Sequence, residues 1–165
     1  MNNSPKIALI GLGYWGKNLA RNLYDLNVLN GICDTNTDNL DKYKKLYKDI
    51  NYFSSIDELL NSDIDAIVIA TPAITHGSLV KKSLNANKHV FVEKPLCLDY
   101  EEGLELQRIA KNNNLKLMVG HLLLYHPAFI SLKKVVNSGT IGNIRYIYSN
   151  RLSLGKLRKE EDALW

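Results

Sequence analysis

The sequence predicts an α/β fold in which a parallel, doubly wound β-sheet is covered by helices on both faces. Short apolar runs rich in β-branched residues alternate with helical patterns as far as about residue 120. The run IDAIVIA at residues 64–70 is apolar on both faces, as is typical of a central parallel strand. Such alternation builds βαβ units, which pack their helices on both sides of one sheet.

Five apolar runs predict the strands, because each is short and is followed by a turn or a helix signal. In chain order they cover residues 6–10, 28–33, 64–70, 89–93 and 115–120. Pro72 ends the third run and Pro95 stops the fourth, since proline cannot donate to a sheet ladder.

Apolar residues at helical spacing predict the segments between these strands. The helical patterns cover residues 15–26, 40–47, 55–60, 79–84 and 99–110. Two of them start with a capping signature, formed by Ser55 with Glu58 and by Asp99 with Glu102.

The pattern changes after residue 120. We expect a helix over residues 127–137 and a longer, half-exposed strand over residues 141–154. Together these segments begin a module of a different kind.

Composition places the chain among globular proteins, since 45% of its 165 residues are hydrophobic and 23% are charged. Cys33 and Cys97 are its two cysteines and have no histidine at metal-site spacing, so neither a disulfide framework nor a metal site is expected. No signal core and no apolar run of membrane-spanning length is present, which favours the cytoplasm.

The formal charge of the chain is +4. The basic run KYKKLYK at residues 42–48 reads as a nucleic-acid patch or as a solvated helix face; we favour the helix face, because no nucleic-acid-binding motif accompanies it.

Three glycines suggest a chemical role for the turn after the first strand. Gly11, Gly13 and Gly16 match G-x-G-x-x-G between a strand and a helix. Gly11 permits the tight turn, Gly13 lets the main chain approach a pyrophosphate, and Gly16 allows close packing of helix on strand. The helix N-terminus then offers N–H groups to phosphates. The alternative is a glycine-rich turn without a ligand.

An acidic residue at the end of the second strand extends this to a dinucleotide site. Asp34 lies 18 residues after Gly16, close to the spacing at which a carboxylate accepts hydrogen bonds from the adenosine ribose. A helix-capping role is its alternative. Thr35 and Asn36 follow and cannot neutralise a 2′-phosphate, which favours NAD over NADP. The glycine turn and Asp34 together predict a Rossmann fold.

Two further motifs follow the third and fourth predicted strands. ATPAITH covers residues 70–76 and EKP covers residues 93–95, so both lie at carboxyl ends of strands, where open α/β sheets bind ligands. With GLGYWGKN, CD and VFVEKPL, these stretches resemble the Gfo/Idh/MocA family of glucose–fructose oxidoreductase and inositol dehydrogenase. GYWGKNLARN, VGHLLLYHPA and IYSNRLSLGKLR look most like the branch that oxidises the C3 hydroxyl of UDP-N-acetylglucosamine-type nucleotide sugars.

The resemblance implies a role for each matching residue. The dinucleotide cleft would be lined by Gly11, Gly13, Tyr14, Trp15, Gly16, Asp34, Thr71, Pro72, His76 and Glu93. Glu93 would touch the nicotinamide ribose, and Lys94 would face the reacting carbon as the catalytic residue. A cation beside the hydroxyl stabilises developing alkoxide charge and orients the C–H bond toward the nicotinamide. Pro95 would aim Lys94 rigidly, with a cis bond between them as one option. The alternatives are a surface charge at a turn for Lys94 and a helix cap for His76.

The implied substrate is a sugar or nucleotide sugar, and Lys94 would also help to bind it. His121 and His126 follow the last parallel strand, and each reads either as a substrate ligand or as an ordinary packed histidine. A basic group would meet a nucleotide-sugar diphosphate or form a solvated strand end and loop; it comprises Arg151, Lys156, Arg158 and Lys159.

The resemblance also divides the chain. Residues 1–120 would form an NAD-binding Rossmann domain, and residues 121–165 would begin an α+β substrate and oligomerisation domain. The resemblance implies a second domain about as large as the first, which would hold the catalytic base and the oligomer interface. We therefore expect an NAD-dependent dehydrogenase whose present chain holds cofactor with impaired turnover; a non-catalytic nucleotide-binding module is the alternative. No nucleic-acid or membrane partner is expected.

Overall fold

The computed structural model describes residues 4–150 and 152, and its centre is a six-stranded parallel β-sheet. In chain order the strands are β1 Ile7–Ile10, β2 Leu29–Cys33, β3 Asn51–Phe53, β4 Ala66–Ile69, β5 His89–Val92 and β6 Leu117–Val119. Across the sheet their order is β3-β2-β1-β4-β5-β6. This is the order of a doubly wound Rossmann sheet, so the predicted fold class is confirmed.

Six α-helices are present in the described residues. They are α1 Gly16–Asp25, α2 Thr37–Lys44, α3 Ile56–Leu60, α4 His76–Asn85, α5 Tyr100–Asn112 and α6 Pro127–Asn137. Short 3₁₀ turns at Ala73–Thr75 and Leu122–Tyr125 precede α4 and α6. Among the helices that the structure describes, none is long and apolar enough to cross a membrane.

The two faces of the sheet are covered by different helices. On β4, Ile67 and Ile69 pack into one buried cluster, whereas Val68 packs into the other. The first cluster takes buried side chains from α3, α4 and α5, and the second takes them from α1 and α2. A strand that is apolar on both faces therefore lies at the centre, as the run at residues 64–70 predicts.

Helix capping agrees with the sequence at one predicted site and not at another. The Asp99 carboxylate accepts a hydrogen bond from the main-chain N–H of Glu102 at 2.8 Å and caps α5. Ser55 occupies the N-cap of α3, but its side chain makes no capping hydrogen bond, so the predicted capping box does not form. The helix predicted over residues 40–47 begins three residues earlier, at Thr37, because Asn36 caps it through the N–H groups of residues 38 and 39.

The chain divides into two compact units, residues 1–120 and 121–165. In the second unit the predicted helix is confirmed as α6, where the Nδ1 atom of His126 accepts from the N–H of Ala128 at 3.2 Å. The predicted strand over residues 141–154 is wrong for residues 141–150 and 152, which form no strand. A strand needs a partner edge for its main-chain groups, and every described side chain from residue 121 to 150 is exposed except half-buried Val136.

Candidate functional site

The predicted site motifs meet at the carboxyl edge of the sheet. The glycine turn follows β1, Asp34 follows β2, Thr71-Pro72 follow β4, and Glu93 follows β5. Because β1 and β4 are neighbours while their connections leave toward opposite faces, the crevice between their ends is the switch point of the sheet.

Gly11 and Gly16 close the first turn tightly. Gly11 has a φ of +95°, and a Cβ there would lie 2.8 Å from the carbonyl oxygen of Ala70. A Cβ on Gly16 would lie 2.0 Å from the carbonyl oxygen of Gly11. Both glycines therefore have steric reasons that do not depend on a ligand.

Gly13 differs from the other two glycines of the motif. A Cβ at this position would meet no protein atom within 4 Å among the described contacts. The fold itself does not require a glycine here, so the open space beside its main chain is a cradle that a phosphate group would fill. Because of this open space, a pyrophosphate fits the turn.

Asp34 holds the glycine turn from the end of β2. Its Oδ2 atom accepts from the main-chain N–H of Leu12 at 2.7 Å, and its Oδ1 atom accepts from the N–H of Asn36 at 2.8 Å. The cap of α2 is Asn36 and not Asp34. The helix-capping role considered as the alternative for Asp34 is therefore wrong. A carboxylate has about four lone-pair sites, which leaves two for ribose hydroxyls.

Thr71 and His76 join the ends of β4 and β5. Thr71 donates its hydroxyl proton to Thr75 Oγ1 at 2.7 Å, because the Thr75 hydroxyl proton goes to the carbonyl oxygen of Pro72. The His76 ring lies 2.6 Å from the carbonyl oxygen of Pro95 through Nδ1 and 2.9 Å from that of Thr71 through Nε2. A neutral imidazole can donate one of these bonds and an imidazolium both.

The position of His76 bears on its predicted role. The residue is only 1% exposed, and its side chain bonds to two carbonyl oxygens rather than to the free N–H groups of α4. It thus holds the loops that border the cleft, and it is not the helix cap considered as an alternative. Pro72 itself is exposed at the rim.

Glu93 is joined to the glycine turn by Trp15. The indole Nε1–H of Trp15 donates to Glu93 Oε1 at 2.7 Å. Gly120, at the end of β6, packs against the same carboxyl group, since a Cβ there would lie 3.0 Å from Oε2 and 3.1 Å from Oε1. Three strand ends therefore surround one carboxylate.

Lys94 and Tyr14 both have exposed side chains. Lys94 follows Glu93 through a turn closed by a cis Lys94–Pro95 peptide bond, and its side chain lies at the surface beside the cleft. Tyr14 is 74% exposed, and the ammonium group of Lys17 lies 5.0 Å from its ring centroid. Neither side chain is held inside the protein core.

The remaining predicted residues lie elsewhere in the chain. His121 and His126 belong to the second unit, where His126 caps α6, and their role toward a substrate stays a prediction. Arg151, Lys156, Arg158 and Lys159 lie outside the described residues.

The contacts of Gly120 and the pairing of Trp15 with Glu93 were not predicted from the sequence. Gly120 ends β6, and a glycine at the carboxyl end of a predicted strand, one strand from the EKP motif, was the available signal. No sequence signal pairs Trp15 with Glu93, which are 78 residues apart.

Comparison with protein families identifies the class. The Gfo/Idh/MocA family model, described as an oxidoreductase family with an NAD-binding Rossmann fold, matches residues 5–121. The chain therefore belongs to this oxidoreductase family, as its motifs predict.

Individual relatives carry several activities. UDP-N-acetylglucosamine 3-dehydrogenase from Acidithiobacillus ferrooxidans is 31% identical over 153 residues, which cover 93% of this chain and 47% of that protein. The 2,7-anhydro-N-acetylneuraminate hydratase of Escherichia coli is 31% identical over 160 residues, covering 95% of this chain and 42% of that protein.

The chain is also similar to solved structures of dehydrogenases. Scyllo-inositol dehydrogenase from Lactobacillus casei, solved with bound NAD(H) and scyllo-inositol, is similar with a TM-score of 0.79 and 32% identity over 85% of this chain and 43% of that one. The chain thus spans less than half the length of the relatives described here.

Proposed function

We propose that this chain is the cofactor-binding part of an NAD-dependent oxidoreductase that moves a hydride between nicotinamide and a secondary hydroxyl of a sugar or cyclitol. The observation that carries the proposal is the cleft at the carboxyl edge. The open cradle at Gly13, the Asp34 carboxylate and the Glu93-Lys94 pair border the same switch point. These three groups match a pyrophosphate, an adenosine ribose and a reacting centre in that order.

The adenosine half would be held by the groups nearest β1 and β2. The main chain at Gly13 and the N-terminus of α1 face the phosphates, and the free lone pairs of Asp34 accept from the ribose hydroxyls. Asn36 uses its side-chain oxygen to cap α2, and Thr35 carries no charge. A 2′-phosphate beside the Asp34 carboxylate would meet repulsion, which supports NAD over NADP.

The reacting half would lie by Glu93 and Lys94. Bound NAD supplies the hydride acceptor. The Lys94 ammonium would sit by the substrate hydroxyl, where its charge stabilises the alkoxide that develops as the C–H bond breaks. Glu93 would accept from the nicotinamide ribose and thereby fix the ring relative to Lys94.

The substrate class rests on the relatives. A scyllo-inositol dehydrogenase and a UDP-N-acetylglucosamine dehydrogenase are among them, and inositol and N-acetylglucosamine both carry secondary hydroxyls on a six-membered ring. A nucleotide sugar, contacted by His121, His126 and the basic group near the C-terminus, is the finer form of this proposal. The proposal also includes a cytoplasmic location and a homo-oligomeric state for the protein.

Titration of the 165-residue chain with NADH tests the proposal, followed by an absorbance assay for NADH formation from NAD with inositols and UDP-N-acetylglucosamine. We expect binding, with NADH preferred over NADPH. Absence of binding at millimolar cofactor would overturn the proposal. Turnover should be low in this chain and should rise in a chain that also carries the second domain implied by the resemblance. Binding without turnover in that longer chain would favour the non-catalytic binding module.

The Lys94→Ala variant tests the reacting half. It should keep NADH affinity within about twofold, because the ammonium acts on the substrate. In a chain that also carries the second domain implied by the resemblance, it should lower turnover by at least about a hundredfold. Lys82→Ala is the matched control, since Lys82 is an exposed lysine in the last turn of α4, at the opposite edge of the sheet. Equal turnover by both variants would remove Lys94 from the chemistry.

A further inference from the structure

One side-chain bond spans the candidate cleft. Trp15 stands just before α1, and Glu93 follows β5, yet their side chains meet at 2.7 Å. In the sheet, β4 lies between β1 and β5. The bond therefore passes over the carboxyl end of β4, where the second half of a dinucleotide would lie.

Gly120 leaves room for the Glu93 carboxyl group at the end of β6. The space that a Cβ of Gly120 would occupy lies 3.0 Å from Oε2. Any larger residue would press on the carboxyl group, which would have to move by a few tenths of an ångström. The indole bond thus holds the carboxyl group in a place that is open only because residue 120 is a glycine.

The bond also divides the two carboxylate oxygens between two tasks. Trp15 occupies Oε1, and it is the hydrogen-bond donor that reaches this carboxylate from the described part of the chain. Oε2 keeps its lone pairs for a ligand. A carboxylate held by one oxygen presents the other in a fixed direction, whereas an unheld one rotates.

We propose that Trp15 is a positioning residue for the nicotinamide half of the cofactor: its indole N–H fixes Glu93 so that Oε2 accepts from the hydroxyls of the second ribose. The inference rests on the proposed function and assigns Trp15 to a different part of the ligand than the pyrophosphate turn. A tryptophan is suited to this task because its single N–H donor stands on a rigid ring.

Three ligands of increasing length test the assignment by calorimetric titration of the 165-residue chain. ADP carries the adenosine ribose and the diphosphate, ADP-ribose adds the second ribose, and NADH adds the nicotinamide. Trp15→Phe keeps the ring and removes the donor. This variant should lower the affinities for ADP-ribose and NADH by the same factor and leave the affinity for ADP unchanged. The expected factor is about fivefold to tenfold, for a lost hydrogen bond to a charged, partly exposed group.

Each other pattern overturns the inference. Equal weakening of all three ligands would place Trp15 at the pyrophosphate or in the stability of the fold. Weakening of NADH alone would mean a contact with the nicotinamide ring, and no weakening would mean that the bond is irrelevant to binding. If the unaltered chain binds none of the three, the proposed function itself fails, which is a distinct result.

Two further variants separate orientation from loss of fold. Gly120→Ala displaces the carboxyl group while Trp15 stays intact, and it should show the same selective loss for ADP-ribose and NADH. On a Glu93→Ala background, Trp15→Phe should cause no additional loss, because its only route to the ribose is gone. Glu105→Ala, which removes a surface carboxylate paired with Lys81, is the matched control and should leave all three affinities unchanged.

Discussion

Replacing Gly16 by alanine is expected to destabilise the fold, whereas replacing Gly13 by alanine is expected to spare the fold and to impair cofactor binding. At Gly16 the new Cβ would lie 2.0 Å from the carbonyl oxygen and 2.9 Å from the carbonyl carbon of Gly11. Both are main-chain atoms that cannot rotate away. At Gly13 the new Cβ would meet nothing within 4 Å.

The magnitudes follow from these distances. Overlap of more than 1 Å with main chain, judged against an ordinary contact of 3.4–4 Å, forces the turn apart, and we expect Gly16→Ala to lower the free energy of unfolding by at least about 3 kcal/mol. Gly13 does not have a positive φ. Alanine there should raise the free energy of unfolding by about 0.4–1 kcal/mol, because it restricts the unfolded chain.

Two measurements on both variants complete the test. Urea unfolding followed by circular dichroism gives the stability change, and NADH titration gives the affinity. Gly13→Ala should lose at least about tenfold in affinity, since its methyl group fills the cradle that the pyrophosphate would enter. Equal destabilisation by the two substitutions would refute the contact argument, and full NADH affinity in Gly13→Ala would refute the cradle.

Three further outcomes are expected. Asp34→Ala should lower stability by about 1–3 kcal/mol in urea unfolding, because a partly buried N–H of the glycine turn loses its acceptor. It should also weaken NADH binding in calorimetry; lost stability with full affinity would contradict the ribose role. Asp99→Ala should cost about 1 kcal/mol of stability, whereas Ser55→Ala, at an N-cap without a side-chain bond, should cost clearly less in the same assay. Burial raises the pKa of the Cys33 thiol from 9.0 to about 11 and that of the Tyr52 hydroxyl from 10.0 to about 12. The unfolded chain therefore loses these protons first. The contribution of these two groups to stability should be level below about pH 9 and fall above it, with Cys33 contributing up to about 1.4 kcal/mol per pH unit as far as about pH 11. Urea unfolding at several pH values checks this. Cys33→Ala should make the fall between pH 9 and 11 shallower, while the part from Tyr52 above about pH 10 remains; an unchanged slope in that variant would contradict the assignment.

Local patterns predicted the elements that depend on local chemistry. The helix at residues 127–137 and the Asp99 cap follow from proline, spacing and side-chain hydrogen bonding within a few residues. Strand β3, Asn51–Phe53, was not predicted, because three residues show no periodicity and exist as a strand only by pairing with β2. The strand expected over residues 141–154 failed in its described part for the complementary reason, since β-branched and aromatic residues do not make a strand without a partner.

The candidate site also combines features that local patterns predict with features that depend on long-range contacts. The glycine spacing, Asp34 and the EKP motif could be read from the sequence, because each is a short pattern at the end of a strand. The bond between Asp34 and the Leu12 N–H, the two carbonyl contacts of His76 and the pairing of Trp15 with Glu93 could not. These contacts depend on which strand ends are neighbours in three dimensions, and the order of the strands in the sheet determines this.

The carboxyl edge of the sheet is tied together by side chains before any ligand arrives. Asp34 bonds the glycine turn, His76 bonds the loops after β4 and β5, and Glu93 bonds the start of α1. Loops that must be ordered by a ligand reduce its affinity by the entropy of that ordering. Here folding itself performs most of the ordering, so cofactor association should proceed in a single kinetic phase set by diffusion and docking orientation rather than by loop closure.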